Sequence, residues 1–272
     1  MRIAITATPS QARAAPILLR GDLAAAFRQA SEFGCQGVEL HLRRAADVDV
    51  QAVRRLAAEY GIAVPTLGTG LAAAEDGLTF SDPQAEIRAR AVERVRGHIT
   101  LAAEVGSAVT IGSISGRLRS ADGEERRARR SKALECLAQV CRAAEPLGVT
   151  VLLEPLNRYE CDYINTLADG MSVLAEIGAR NLKLLADTFH MNIEEVDLAA
   201  SLTATGSGLG HVHLADTNRQ APGHGHLDVA SILATLAAIG YDGYLSLEIL
   251  PAPDASRAIR DSIDAIRAAH QA

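Results

Sequence analysis

Eight short β-branched or apolar runs alternate with longer stretches in which alanine, leucine and charged residues recur at helical spacing. This alternation predicts an α/β fold closed into a single (β/α)8 TIM barrel over residues 1–272. Two further observations favour closure over a doubly wound open sheet: the units are regular and eightfold, and no Pro/Ser-rich linker or break in composition divides the chain.

The strands expected, in order, are Arg2–Ala7, Gly37–Leu40, Ala63–Gly68, Ala108–Ser113, Thr150–Pro155, Lys183–Thr188, Gly210–Asp216 and Gly243–Ile249, each a short run bounded by turn-forming or helical sequence. Between them the amphipathic segments Leu23–Phe33, Ala52–Tyr60, Gln84–Val105, Glu124–Leu147, Leu167–Ile177, Val229–Ile239 and Ala255–Ala269 read as helices. Several are entered through Asp or Ser and left through Gly, as capped helices are. The basic run Arg126–Arg130 lies in a predicted helix with acids and apolar residues around it, so it reads as a solvated helix face rather than a phosphate cradle. Gly68-Thr69-Gly70 and Gly112–Gly116 follow two strands without the lysine of a P-loop, and read as backbone clearance for a pocket.

Composition narrows the function classes. With 48% hydrophobic and 22% charged residues, a net charge of −6, 3% aromatics and no tryptophan, the chain is an ordinary globular protein with a mainly aliphatic core. Scattered basic residues in an acidic chain argue against binding to nucleic acid or an anionic membrane surface. Cys35, Cys136, Cys141 and Cys161 form neither a CxxC pair nor a disulfide framework, which points to a reducing, cytoplasmic setting. No secretory leader or spanning segment is visible.

The informative signal is where ligand-type side chains fall. The last four strands end in Glu154, Asp187, His213 and Glu248, about one βα unit apart. All strands of a parallel barrel open on one face at their carboxyl ends, so these four converge if the pleat turns each inward. Three acids brought together repel one another unless a cation lies between them. Three carboxylates and one imidazole suit one divalent ion, Mn²⁺, Mg²⁺ or Co²⁺, better than a structural zinc.

The segments Leu153-Glu154-Pro155-Leu156-Asn157-Arg158-Tyr159-Glu160, Asp187-Thr188-Phe189-His190-Met191-Asn192-Ile193-Glu194-Glu195, His211-Val212-His213-Leu214-Ala215-Asp216-Thr217-Asn218-Arg219 and Ser246-Leu247-Glu248 carry a resemblance. They resemble the ketose 3-epimerase family, which includes D-tagatose and D-psicose 3-epimerases, within the xylose-isomerase-like sugar isomerase/epimerase superfamily. The likeness is specific over about residues 150–250 and looser in the N-terminal half. It implies one catalytic divalent cation, usually manganese, a small keto-sugar substrate, and a homodimer or homotetramer. Position by position, it implies Glu154, Asp187, His213 and Glu248 as metal ligands, and Glu160, His190 and Arg219 as substrate-binding residues.

Inverting the carbon beside a ketone requires a base on one face and an acid on the other. Glu154 and Glu248 are the catalytic pair expected, exchanging roles in the reverse reaction. The metal would polarise the carbonyl and stabilise the enediolate. His213 must be neutral to ligate, and its second ring nitrogen should have an acceptor that fixes its tautomer. The expected substrates are ketohexoses such as D-tagatose, D-fructose and D-psicose, or keto-acids of the 5-keto-gluconate type. The alternatives are an inosose or keto-sugar dehydratase, an aldose–ketose isomerase of the hydroxypyruvate type and, more remotely, an endonuclease IV-like metal nuclease, which needs further histidines and a basic groove. His224 and His226 read as parts of a turn that leads Asp228 to a helix start, and Glu39 either lines the site or caps a helix.

Overall fold

In the computed structural model, which describes residues 1–11, 16–119 and 122–269, eight parallel strands form a closed barrel. The strands are β1 (Arg2–Thr8), β3 (Gly37–His41), β4 (Thr66–Gly68), β5 (Ala108–Ile111), β6 (Val151–Leu153), β7 (Leu182–Asp187), β8 (Leu209–His213) and β9 (Tyr244–Leu247), and pairing of β1 with β9 closes the ring. A two-residue strand, β2 (Leu19–Arg20), pairs with β1 at Ala7 and Thr8, on the edge away from β3 and beyond the end of β9.

The helices are α1 (Leu23–Glu32), α2 (Val50–Tyr60), α3 (Gly70–Asp76), α4 (Ala85–Val105), α5 (Gly123–Ala144), α6 (Leu167–Ile177), α7 (Thr188–Glu194), α8 (Leu198–Thr205), α9 (Val229–Ala238) and α10 (Ala255–Ala269). Their ends follow the sequence. Asp22, Asp49, Asp122 and Asp228 accept backbone N–H groups at the starts of α1, α2, α5 and α9, and Thr166 with Asp169 forms a reciprocal cap on α6. The expected helix Glu124–Leu147 gives up its α-helical form at Ala144, because Pro146 lacks the N–H that the ladder needs, and Glu145–Leu147 tightens into a 3₁₀ turn. The expected strands run on past their pairing: Glu154 and Glu248 stand one residue beyond β6 and β9, and Thr188 already opens α7.

The pleat sorts side chains by parity. Val38 and Leu40, Val151 and Leu153, Leu184 and Ala186, Val212 and Leu214, and Leu245 and Leu247 pack in the continuous aliphatic core beneath the helices. The alternate positions face the barrel axis, and there the chain is polar: Thr6, Glu39, Thr66, Thr110, His211 and Ser246 are all buried. Thr66 and Thr110 pair through their hydroxyls at 2.8 Å. A barrel interior is ordinarily filled with aliphatic layers, so this polar axis already marks the carboxyl end of the barrel as special.

Of the basic run, Arg126 pairs with Asp162 at 3.0 Å and Arg130 with Glu176 at 2.8 Å, while Arg129 donates to the Ser81 carbonyl. All four cysteines are buried and free, and burial pushes the Cys35 and Cys141 thiols up to about 12. Among the described residues no helix is long and apolar enough to cross a membrane.

Helix α3 reaches over the barrel mouth and is held at its last residue. Asp76 accepts from Arg43 Nε at 2.9 Å and from Arg94 Nη1 at 2.6 Å, and these partners hold its carboxyl well below the usual carboxylate range. Asp76→Asn is expected to destabilise the protein by about 1–3 kcal/mol at pH 7. Because the folded-state pKa is depressed, this contribution is present above the ordinary aspartate value of about 3.9 and is lost as pH falls through the lower folded value. Denaturant unfolding of both proteins as a function of pH checks this; a difference that stays constant below pH 4 would refute it.

Candidate active site

The ends of β6, β7, β8 and β9 bring Glu154, Asp187, His213 and Glu248 together in the barrel mouth, all buried, with potential ligand atoms within 4.8 Å of one another. His213 Nδ1 lies at the centre, 3.4 Å from Glu154 Oε1, 3.5 Å from Asp187 Oδ2 and 3.3 Å from Glu248 Oε2. It is buried and makes no hydrogen bond. An imidazole nitrogen with no hydrogen bond, ringed by three carboxylate oxygens, is a donor set that fits a divalent cation.

Glycines make the room. A Cβ at Gly112, just past β5, would overlap Glu154 Oε2, and one at Gly68 would lie 2.7 Å from His41 Nδ1. Gly68, Gly70, Ala74, Gly112 and Ser113 line part of the cavity, and among the described residues no Phe, Tyr or Trp lines it.

Arg219 enters from the loop after β8. Its Nη1 donates to Asp187 Oδ2 at 2.7 Å, its Nη2 donates to Glu248 Oε2, and its guanidinium lies over the Phe189 ring at 4.7 Å. Its backbone sits at φ 62°, unusual for a residue other than glycine, and is pinned there because its carbonyl accepts from Leu250 N at 2.7 Å.

His190 comes from α7 and is buried. Backbone N–H of Asn157 donates to its Nδ1 at 3.2 Å, which leaves the proton on Nε2, 3.8 Å from Asp187 Oδ2. Glu160 is exposed at the rim and accepts from Asn157 Nδ2 at 3.1 Å. Asn157 thus joins His190 to Glu160, a role that sequence reasoning missed although the residue stands inside the same motif.

Glu39, left open by the sequence, is fully buried on the axis below the point where the three acids and His213 meet, with Oε1 3.0 Å from His213 Nε2 and Oε2 3.0 Å from His211 Nε2. It is the acceptor expected for the second nitrogen of His213. His224 instead pairs with Asp261 at 3.1 Å, Asp228 caps α9, and neither His224 nor His226 lines the cavity.

The acids divide electrostatically. Burial pushes the Glu154 carboxyl up, only partly offset by His213 and reinforced by the charge of Glu248. Burial also opposes ionisation of Asp187 and Glu248 and is the largest single influence on each, but Arg219 together with His190 and His213 at Asp187, and with His213 and His41 at Glu248, outweighs it and holds both carboxyls below their usual range. Burial works against charge on His213 as well, yet Glu39 and Glu248 raise it well above the ordinary histidine value, a measure of the negative field at this point.

A closed parallel barrel with acids and an imidazole gathered at its carboxyl mouth defines a class, and a family model described as a xylose isomerase-like TIM barrel matches residues 27–269. The chain belongs to that family. Among its relatives, an L-ribulose 3-epimerase of Mesorhizobium japonicum is 32% identical over 217 residues, covering 80% of this chain and 72% of that protein. A 3-dehydro-D-guloside 4-epimerase of Escherichia coli is 34% identical over 253 residues, covering 89% and 92%. A solved structure of an L-ribulose 3-epimerase superposes with a TM-score of 0.83 at 27% identity, covering 99% of this chain and 96% of that one. Sugar-epimerase chemistry is thereby supported for this site.

Gly112→Ala forces the Glu154 carboxylate aside, and a misplacement of about 1 Å at a reacting group costs about 10²-fold in rate. Epimerase activity is expected to fall by about that factor while cooperative unfolding and the far-UV spectrum persist. Activity close to wild type would show that Glu154 need not stand where the structure places it.

Proposed function

We propose that the chain is a metal-dependent epimerase inverting the carbon next to the carbonyl of a ketose or keto-sugar acid. The observation that carries the reading is the pair Glu154 and Glu248, two buried carboxyls from the ends of β6 and β9 that open on one cavity, with the Arg219 guanidinium paired to Glu248 and not to Glu154. A divalent cation held by Glu154, Asp187, His213 and Glu248, with Mn²⁺ favoured by the hard, oxygen-rich donors, would supply Lewis-acid polarisation of the substrate carbonyl.

The side chains perform the rest. Glu248, beside Arg219, is the readier carboxylate and takes the proton from the carbon; Glu154, the readier acid, returns one from the other face, and the roles exchange in the reverse direction. Arg219 holds Glu248 in position through its forked donors. His190 offers its Nε2–H to a substrate oxygen, and Glu160 accepts from a hydroxyl at the rim.

For substrate, the first reading is C3 epimerisation of a free ketohexose such as D-tagatose, D-fructose or D-psicose, or the equivalent inversion of a 5-keto-gluconate. A second reading, inversion beside the ketone of a keto-glycoside, is favoured by the match along 92% of the E. coli 3-dehydro-D-guloside 4-epimerase and by a cavity wall of small residues that leaves space for a substituent.

The test is incubation of chelator-stripped and Mn²⁺-restored protein with ketohexoses, 5-keto-gluconates and 3-keto-glycosides in D₂O, followed by NMR. The expected result is metal-dependent appearance of an epimer carrying deuterium at the inverted carbon. Glu154→Gln and Glu248→Gln are each expected to lose about 10²–10⁴-fold of that activity. Exchange accompanied by loss of water would replace epimerisation by dehydration, and an aldose product would make the chain an aldose–ketose isomerase.

A further inference from the structure

Directly beneath the mouth lies Glu39, a fully buried acid that does not line the cavity. It has no exposed surface, and three imidazoles surround it. His213 Nε2 and His41 Nε2 lie 3.0 Å and 3.1 Å from its Oε1, and His211 Nε2 lies 3.0 Å from its Oε2. His211 Nε2 is also 2.9 Å from Ser246 Oγ, so the ring that meets the second oxygen is itself held by β9.

The sequence builds this arrangement from two i, i+2 pairs. Glu39 and His41 on β3 share the axial face, as do His211 and His213 on β8, while Leu40 and Val212 between them enter the aliphatic core. Gly68 beside β3 leaves His41 its place, and His41 Nε2 in turn approaches Glu248 Oε1 at 3.8 Å.

We propose that Glu39 is the positioning residue of the metal centre: by accepting the Nε2–H of His213 it fixes the tautomer and ring rotation that present Nδ1 to the three carboxylates. A histidine whose far nitrogen gives its proton to a carboxylate keeps a lone pair on the near one, and the carboxylate makes that lone pair more basic. The geometry meets both requirements, since Nε2 is engaged at 3.0 Å and Nδ1 has no hydrogen bond and faces Glu154, Asp187 and Glu248. His211, held in turn by Ser246, occupies the other oxygen of Glu39. Glu39, His211 and His213 also form a compact donor group of their own, but their separations of 3.0 Å are hydrogen-bond lengths, with each carboxylate oxygen given to a different ring.

The inference rests on the metal reading, and the experiment separates the two. The full-length protein, stripped by chelator, is titrated with Mn²⁺ while the signal of free aqueous Mn²⁺ is followed by electron paramagnetic resonance, a readout independent of turnover. Wild type is expected to bind one Mn²⁺. Glu39→Gln is expected to bind one with a dissociation constant about 10–100-fold weaker, since loss of an outer partner of a ligating histidine has that effect. His211→Gln, which loosens only the other oxygen of Glu39, is expected to lose less. Should Glu39→Gln fail to fold, Glu39→Asp, which keeps the charge but falls one methylene short, reads the same loss.

Equal affinity in wild type and in the folded Glu39 variant would overturn the positioning role and leave the metal site standing. Two Mn²⁺ per wild-type chain, falling to one in Glu39→Gln, would overturn it in favour of a second cation among Glu39, His211 and His213. No Mn²⁺ bound by wild type would overturn the metal reading and this inference together.

Discussion

Four carboxylates, Glu39, Glu154, Asp187 and Glu248, are buried within one barrel mouth, and their mutual repulsion is the constraint around which the rest is arranged. Like charges 4 Å apart in a medium of effective dielectric 20 repel by about 4 kcal/mol, so the cluster cannot persist without positive charge or shared protons. Each nearby group answers that need. Arg219 spans Asp187 and Glu248, His213 stands among three of the acids, and Glu39 is enclosed by imidazoles. Arg219 reaches these acids from the long loop between β8 and α9, with its backbone in the left-handed region.

The barrel solves the positioning problem with little local specialisation. Closure by β1 and β9 turns the ends of all eight strands to one opening, and period-two alternation then sends one residue in two to the axis. A ligand needs only the right parity and the right place at a strand end. The helices and their aliphatic core supply rigidity, and clearance comes from Gly68 and Gly112, where any side chain would collide with His41 or Glu154. Loops and the short helix α7 carry Arg219, Glu160 and His190 around the mouth, while Glu154, Asp187, His213 and Glu248 stand at the strand ends.

Much of this was legible in the sequence. The eight runs, most helix ends and the four strand-end ligand types follow from period and caps, which are local properties. Strand ends were read too long because apolar sequence continues past the last paired position, as in Pro155-Leu156 after β6 and Ile249-Leu250 after β9. Helices α3, α7 and α8, of 7, 7 and 8 residues, escaped because two turns give too few positions to establish a helical period. The short β2 pairing likewise has no periodic signal to read.

What the sequence determined by itself was the alternation, the parity of Glu154, Asp187, His213 and Glu248, and through the motifs around them the kind of chemistry. What tertiary structure alone decided was which buried groups face one another. Glu39 and His213 are separated by 174 positions and meet at 3.0 Å, Asn157 reaches His190 from another strand's loop, and Arg219 chooses Glu248 over Glu154. The physical reason is that hydrogen bonding and charge pairing act over a few ångströms in space, and distance along the chain leaves no trace of them until the barrel closes.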